Sequence, residues 1–142
     1  MAERFVILTK YLSQLAKTEY GNWIIDKENK GIVENPIRMS FVNYSDFVSA
    51  FIQDVYKTID DNEDMDLNHY GEILDKNGLE WGIISMKDAE VSSLDAQCVM
   101  ALITGAVRAE RFCDGALLDF FKSGCIAKWL NRLKEIDSRM CY

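Results

Sequence analysis

From Ala96 to Val107 the chain reads AQCVMALITGAV, a run that is apolar on nearly every side when wound into a helix. Such a helix has no face to give to water, so other elements must wrap it and it belongs at the centre of the fold. The preceding SSLD supplies a serine cap and Asp95 at its start, where an acceptor and a negative charge suit a helix N-terminus. At 142 residues the chain has the size of one ordinary domain, able to bury roughly 68–70% of its unfolded surface. Pro36 is its only proline and it has eight glycines, a scarcity of turn formers that favours helices over a many-stranded sandwich. The expectation is a single α+β domain, predominantly α-helical, with about six helices around a central C-terminal helix and one small β-hairpin.

The flanking segments fill in that outline. Phe5, Leu8, Leu12 and Leu15 repeat at helical spacing beside Tyr11 and Ala16, predicting an amphipathic helix over residues 3–17. NWIID, the turn-like KENKG and PIRMSFVNY predict the hairpin: Ile37, Met39 and Phe41 alternate with Arg38 and Ser40, and Pro36 stands at a strand start. Ser45 caps the next helix, whose stripe is Phe47, Val48, Phe51, Ile52, Val55, Tyr56 and Ile59. It ends at DDNEDMD, residues 60–66, whose five acids would repel one another and the helix dipole, so a solvated loop is expected. LNHYGEILDKNG predicts a short helix closed by Gly78, and Trp81 anchors the segment after that helix. Asp114 or Gly115 breaks the chain between two helices. The final helix, about 125–138, turns Ile126, Trp129, Leu130, Leu133 and Ile136 inward and Lys128, Arg132 and Lys134 outward.

Charge and motif content narrow the function classes. The formal net charge is -7, which opposes phosphate neutralisation and argues against direct nucleic-acid binding. The longest apolar run falls far short of the ~20 residues of a membrane span. Cys98, Cys113, Cys125 and Cys141 form no C-x-x-C pair, and reduced, mostly buried thiols in a cytoplasmic protein are expected. His69 is the only histidine, which rules out cages built from several histidines. The acidic run lacks the glycine and ligand spacing of an EF-hand, and glycine-rich phosphate loops are missing. Neither a catalytic residue, a metal site nor a cofactor is therefore assigned.

VRAERFCDGALLDFF, residues 107–121, puts charge at the end of the apolar helix. Such charges must be paired or reach water. Arg108, Glu110, Arg111 and Asp114 have the signs for a closed network, with Glu110 and Asp114 its acidic members. Alternatively one of Arg108 and Arg111 stays open in a pocket walled by Phe112 or Trp81, where a guanidinium fork suits a carboxylate or phosphate. The same arginines stand beside Cys113, where they would lower a thiol pKa.

ALITGAVRAERFCDGALLDFFKSGCIAKWLNRLKEI, with GNWIID and NYSDFVSAFIQDV upstream, resembles a bacterial domain-of-unknown-function family, the one numbered 6508, through its R-A-[DE]-R-F-C-[DE]-G signature. The resemblance implies a setting, conjugative elements and prophages, and brings no activity. The leading expectation is a non-enzymatic binding protein, an accessory or counter-defence factor of a mobile element. It would act on a basic host protein through Asp60, Asp61, Glu63 and Asp64. The alternative is a small-anion or nucleotide-signal binder using Arg108 and Arg111. Self-association stays open in either case.

Overall fold

The computed structural model describes residues 5–15, 20–24, 41–111, 113 and 115–139. The chain is predominantly helical. Its described α-helices are α1 (Val6–Thr9), α2 (Asp46–Asp61), α3 (Tyr70–Lys76), α4 (Ile83–Asp88), α5 (Ala96–Ala109), α6 (Ala116–Lys122) and α7 (Cys125–Arg139). Short 3-10 turns lie at Lys10–Ser13, Glu63–Met65, Leu67–His69 and Val91–Ser93.

Helix α5 is buried at every position from Cys98 to Val107 and packs against α2, α3, α6 and α7. Asp95 caps it, its carboxylate accepting from the Cys98 backbone N–H at 2.9 Å, which satisfies one of the orphan donors of the first turn. Inside, the Thr104 hydroxyl donates to the Met100 carbonyl at 2.8 Å, so a buried polar group is satisfied within the helix itself. Arg108, Ala109 and Glu110 are half-buried and Arg111 is exposed. The charges of VRAER thus mark where the helix leaves the core.

The partner helices bury most of the stripes their spacing predicts, with Phe47, Ile52, Tyr56 and Ile136 half-buried. Val48, Phe51, Val55 and Ile59 of α2 are buried behind the Ser45 cap, whose hydroxyl accepts from Val48 N–H. Ile126, Trp129, Leu130 and Leu133 of α7 are buried as well; each such side chain contributes about 1.5–3 kcal/mol by leaving water. Asp137, although 5% exposed, accepts from the Phe5 backbone N–H at 3.0 Å. It thereby ties the last helix to the start of the first.

Three expectations need correction. The first helix is only Val6–Thr9 followed by a 3-10 turn, although Phe5, Leu8 and Leu15 are buried as their spacing requires; a short element held by tertiary contacts need not keep α geometry. The expected β-hairpin is not seen as such. Gly21–Ile24 (β1) pairs antiparallel with Phe41–Tyr44 (β2) over four residues, while the KENKG turn, Pro36, Ile37 and Met39 lie outside the described residues. The acidic run is not a loop throughout. Asp60 and Asp61 close α2, where Lys57 offsets the charge by an i,i+4 ion pair to Asp61 at 3.2 Å, and the rest is organised by two 3-10 turns.

Candidate functional site

Of the 23 acidic and 16 basic residues in the chain, eight acids and only Lys76 fall in residues 60–80, leaving fifteen of each elsewhere. The whole formal charge of -7 therefore resides in this one segment. Asp60, Asp61, Glu63, Asp64, Asp66, Glu72, Asp75 and Glu80 are all exposed. The backbone carrying them is nonetheless fixed. Met65, Leu67, Ile73 and Leu74 are buried, Gln97 of α5 donates to the Met65 carbonyl at 2.7 Å, and the Asn62 amide donates to the Thr58 carbonyl at 2.8 Å. Asp66 adopts a left-handed conformation with φ 55° between the two 3-10 turns, a conformation aspartate tolerates better than most residues. His69 Nδ1 meets the Asp66 carboxylate at 2.7 Å; this hydrogen bond first, then the charges of Asp66 and Glu72, raise the imidazole pKa above its ordinary value.

At the far end of this lobe an open cleft of about 380 Å³ is lined by Gly71, Glu72, Asp75, Leu79, Glu80 and Trp81. Glu72 and Asp75 share a face of α3 because they are three apart. Gly78, with φ 75°, turns the chain out of α3 and lets the Leu79 N–H donate back to the Leu74 carbonyl at 2.9 Å, the closure a positive-φ glycine permits. Trp81 then lies on α5: its indole N–H donates to the Gly105 carbonyl at 3.0 Å, and its ring meets Tyr70 edge-on at 5.6 Å. Gly105 makes this possible. A Cβ there would stand 3.1 Å from Trp81 Cδ1 and 3.2 Å from Met86 Cε. Gly71 is different, since a Cβ there meets nothing within 4 Å; α3 forgoes about 1 kcal/mol of helix propensity at a position whose side chain would stand in the cleft.

The residues singled out from the sequence are dispersed. Trp81 lines a cleft of carboxylates, not one of arginines. Arg108 lays its guanidinium over Tyr56 at 5.6 Å and reaches Asn68 of the acidic lobe at 3.4 Å, while its Nε is buried without a hydrogen-bond partner. Arg111 is exposed, and Phe112 and Asp114 lie outside the described residues. Glu110 turns to neither arginine; its carboxylate accepts from Gly115 N–H at 3.0 Å and Leu117 N–H at 3.0 Å, capping α6. Asp60 and Asp61 at the end of α2, and Glu63 and Asp64 in the 3-10 turn after it, are each exposed. Cys113 is exposed, against the expectation of burial, while Cys98 and Cys125 are buried and all three are free thiols.

Two features escaped sequence reading. The cleft itself was signalled only by the i,i+3 acids and by a tryptophan after Glu80. The cations of α7 were expected to face solvent, and Lys128 and Lys134 are exposed, yet Arg132 donates through Nε and Nη2 to the Leu94 carbonyl, both at 3.0 Å. Lys128 likewise donates to the Ala89 carbonyl at 3.1 Å. Both are four apart on one helix face and clamp the segment leading into α5. Among the described residues no three His, Cys, Asp or Glu side chains gather to hold a metal ion, and no helix is long and apolar enough to cross a membrane.

Fold and site together define a small, predominantly helical protein with its charge gathered in one ordered lobe. Over residues 1–139 the chain matches a family described as a family of unknown function (DUF6508). It belongs to that family. No curated protein and no solved structure matches it.

Proposed function

We propose that the protein acts by binding another protein, without catalysis, through the acidic lobe of residues 60–80. The observation that carries this reading is the placement of the entire formal charge in that segment, on exposed side chains above a buried, hydrogen-bonded backbone. Solubility alone is served as well by scattered charge. Concentrated charge on a fixed frame costs self-repulsion and creates a field complementary to a basic surface. The mobile-element setting implied by the family resemblance makes a host protein the partner class, with this chain as an accessory or counter-defence factor.

The test is a cross-linking pull-down from host lysate with the native chain and with a D60N/D61N/E63Q/D64N variant. The native chain retains a partner with a basic surface, and retention falls as salt shortens the Debye length below its physiological ~8 Å. Retention of the same partners by the variant, at all salt concentrations, refutes the role of these four carboxylates.

A second reading, a small-anion site at Arg108, has one observation in its favour: the buried Nε without a hydrogen-bond partner, beside the Tyr56 ring. The neighbouring lobe opposes it, since carboxylates near Asn68 repel an anion approaching the same guanidinium. Thermal shift against nucleotides separates the two; saturation at 100 times Kd raises stability by about 2.7 kcal/mol, and a flat response across the panel removes this reading.

A further inference from the structure

We infer that the cleft between α3 and Trp81 is the docking site for a basic amphipathic segment of the partner, which seats an apolar side chain on Trp81 and sets lysine or arginine against Glu72, Asp75 and Glu80. This rests on the reading of the acidic lobe as a binding face and names the element that face receives.

Trp81 supplies an apolar part of the cleft. Its indole N–H is already satisfied inward by the Gly105 carbonyl, yet the residue remains 41% exposed. Together with Leu79 it lines the cleft. Ile84, three residues on, is 79% exposed, and that spacing holds the two Cα atoms within about 11 Å. Large apolar residues partly exposed this close together mark interaction surfaces more often than scattered ones do, and tryptophan is among the residue types most enriched at binding hot spots.

The charged half selects the occupant. Glu72, Asp75 and Glu80 line the cleft on which Trp81 opens, so a cationic segment gains at the rim while an anionic lipid surface or a nucleic acid is repelled. A second copy of this chain is disfavoured for the same reason, because a two-fold contact at this patch would set like carboxylates against each other. The apolar floor asks for more than a polybasic strand: one face of the segment must be hydrophobic. Gly71 lines the cleft from α3, at a position where an added Cβ meets nothing within 4 Å, so it leaves open space that a longer side chain would occupy.

The test uses a fluorescently labelled synthetic peptide with leucines at helical spacing on one face and lysines elsewhere, beside a shuffled peptide of equal composition that has no apolar face. Anisotropy titration of the full chain should give saturable binding about tenfold tighter for the amphipathic peptide, and Gly71→Gln and Ile84→Ser should each remove that advantage. Neither variant should lower the melting temperature, since Gly71 has open space and Ile84 is mostly in water. Equal binding of both peptides, unchanged in both variants, overturns the cleft proposal and leaves the acidic-face reading standing. No binding of either peptide overturns both. A glutamate-for-lysine peptide binding as well as the lysine one removes the charge selection, and a dimer of the native chain that Ile84→Ser dissociates assigns the cleft to a second copy instead.

Discussion

The Tyr44 hydroxyl donates to the Glu110 carboxylate at 2.5 Å and accepts from the Leu118 backbone N–H at 3.1 Å. One side chain at the end of β2 thereby joins the exit of α5 to the entry of α6. Glu110 completes the junction by accepting from Gly115 and Leu117, while Gly115 takes the positive φ of 88° that the sharp turn demands. The carboxylate stands in for the missing serine or aspartate cap of α6.

Removing that carboxylate strands two backbone donors and a hydroxyl. Glu110→Ala should cost about 2–3 kcal/mol and Tyr44→Phe about 1–2 kcal/mol, the range for hydrogen bonds to charged and neutral groups left half-made. Because both act on one junction, the double variant should lose less than the sum. Urea midpoints of the four proteins measure this; strict additivity would show that the two side chains stabilise the fold independently.

Gly105→Ala should destabilise the chain by about 1–3 kcal/mol, the usual penalty for overpacking, reduced by the helix propensity that alanine adds. The new methyl meets the Trp81 ring and Met86 at 3.1–3.2 Å, and Trp81 is the one that can lift away. Acrylamide quenching should accordingly increase in the variant. A melt and a quenching constant both equal to those of the native chain would place Trp81 elsewhere.

The His69 pKa is raised chiefly by its hydrogen bond to Asp66, so its stabilising contact is fully present below the ordinary histidine pKa and fades as pH rises through the raised value. Asp66→Asn should bring the pKa down towards normal, and Glu72→Gln should move it by a smaller step in the same direction. Both are read from the imidazole resonances in an NMR titration. A pKa indifferent to Asp66→Asn contradicts the assignment.

Thiol labelling should be strongly ordered. Of the three described cysteines Cys113 is exposed and should react first, whereas Cys98 is buried, and burial followed by the nearby Asp95 charge pushes its pKa up to about 11. At pH 8 Cys98 should label only as fast as the protein opens. Timed alkylation with peptide mapping gives the order, and early modification of Cys98 contradicts its burial.

Local signals were the legible ones. Ser45 and Asp95 cap the helices they precede, Gly78 closes α3, and the apolar run at 98–107 is buried throughout, because each depends on a few neighbouring residues. Glu110 was not legible. Its partner Tyr44 lies 66 residues away, and a charge beside two arginines gives no hint that backbone donors of the next helix will claim it. Arg132 was misjudged for a related reason: a long side chain on the outward stripe of α7 can still bend onto a carbonyl, leaving only 12% of it exposed. The acidic run was legible as exposed charge, but its order was not, since Met65 and Leu67 are isolated apolar residues whose burial depends on where α5 passes.

With the remaining charges summing to zero, a chain whose net charge of -7 all falls in residues 60–80 is asymmetrically charged as well as anionic. Any positively charged surface exerts a torque on it and not merely a pull, so rotational diffusion is biased before contact and collisions with the wrong end become rarer. The gain falls on the rate of encounter; the lifetime of the complex is set by short-range packing instead. Relocating the charge while keeping its total, by exchanging acids of the lobe with neutral residues on the opposite side, would leave the isoelectric point nearly unchanged and abolish that orientation.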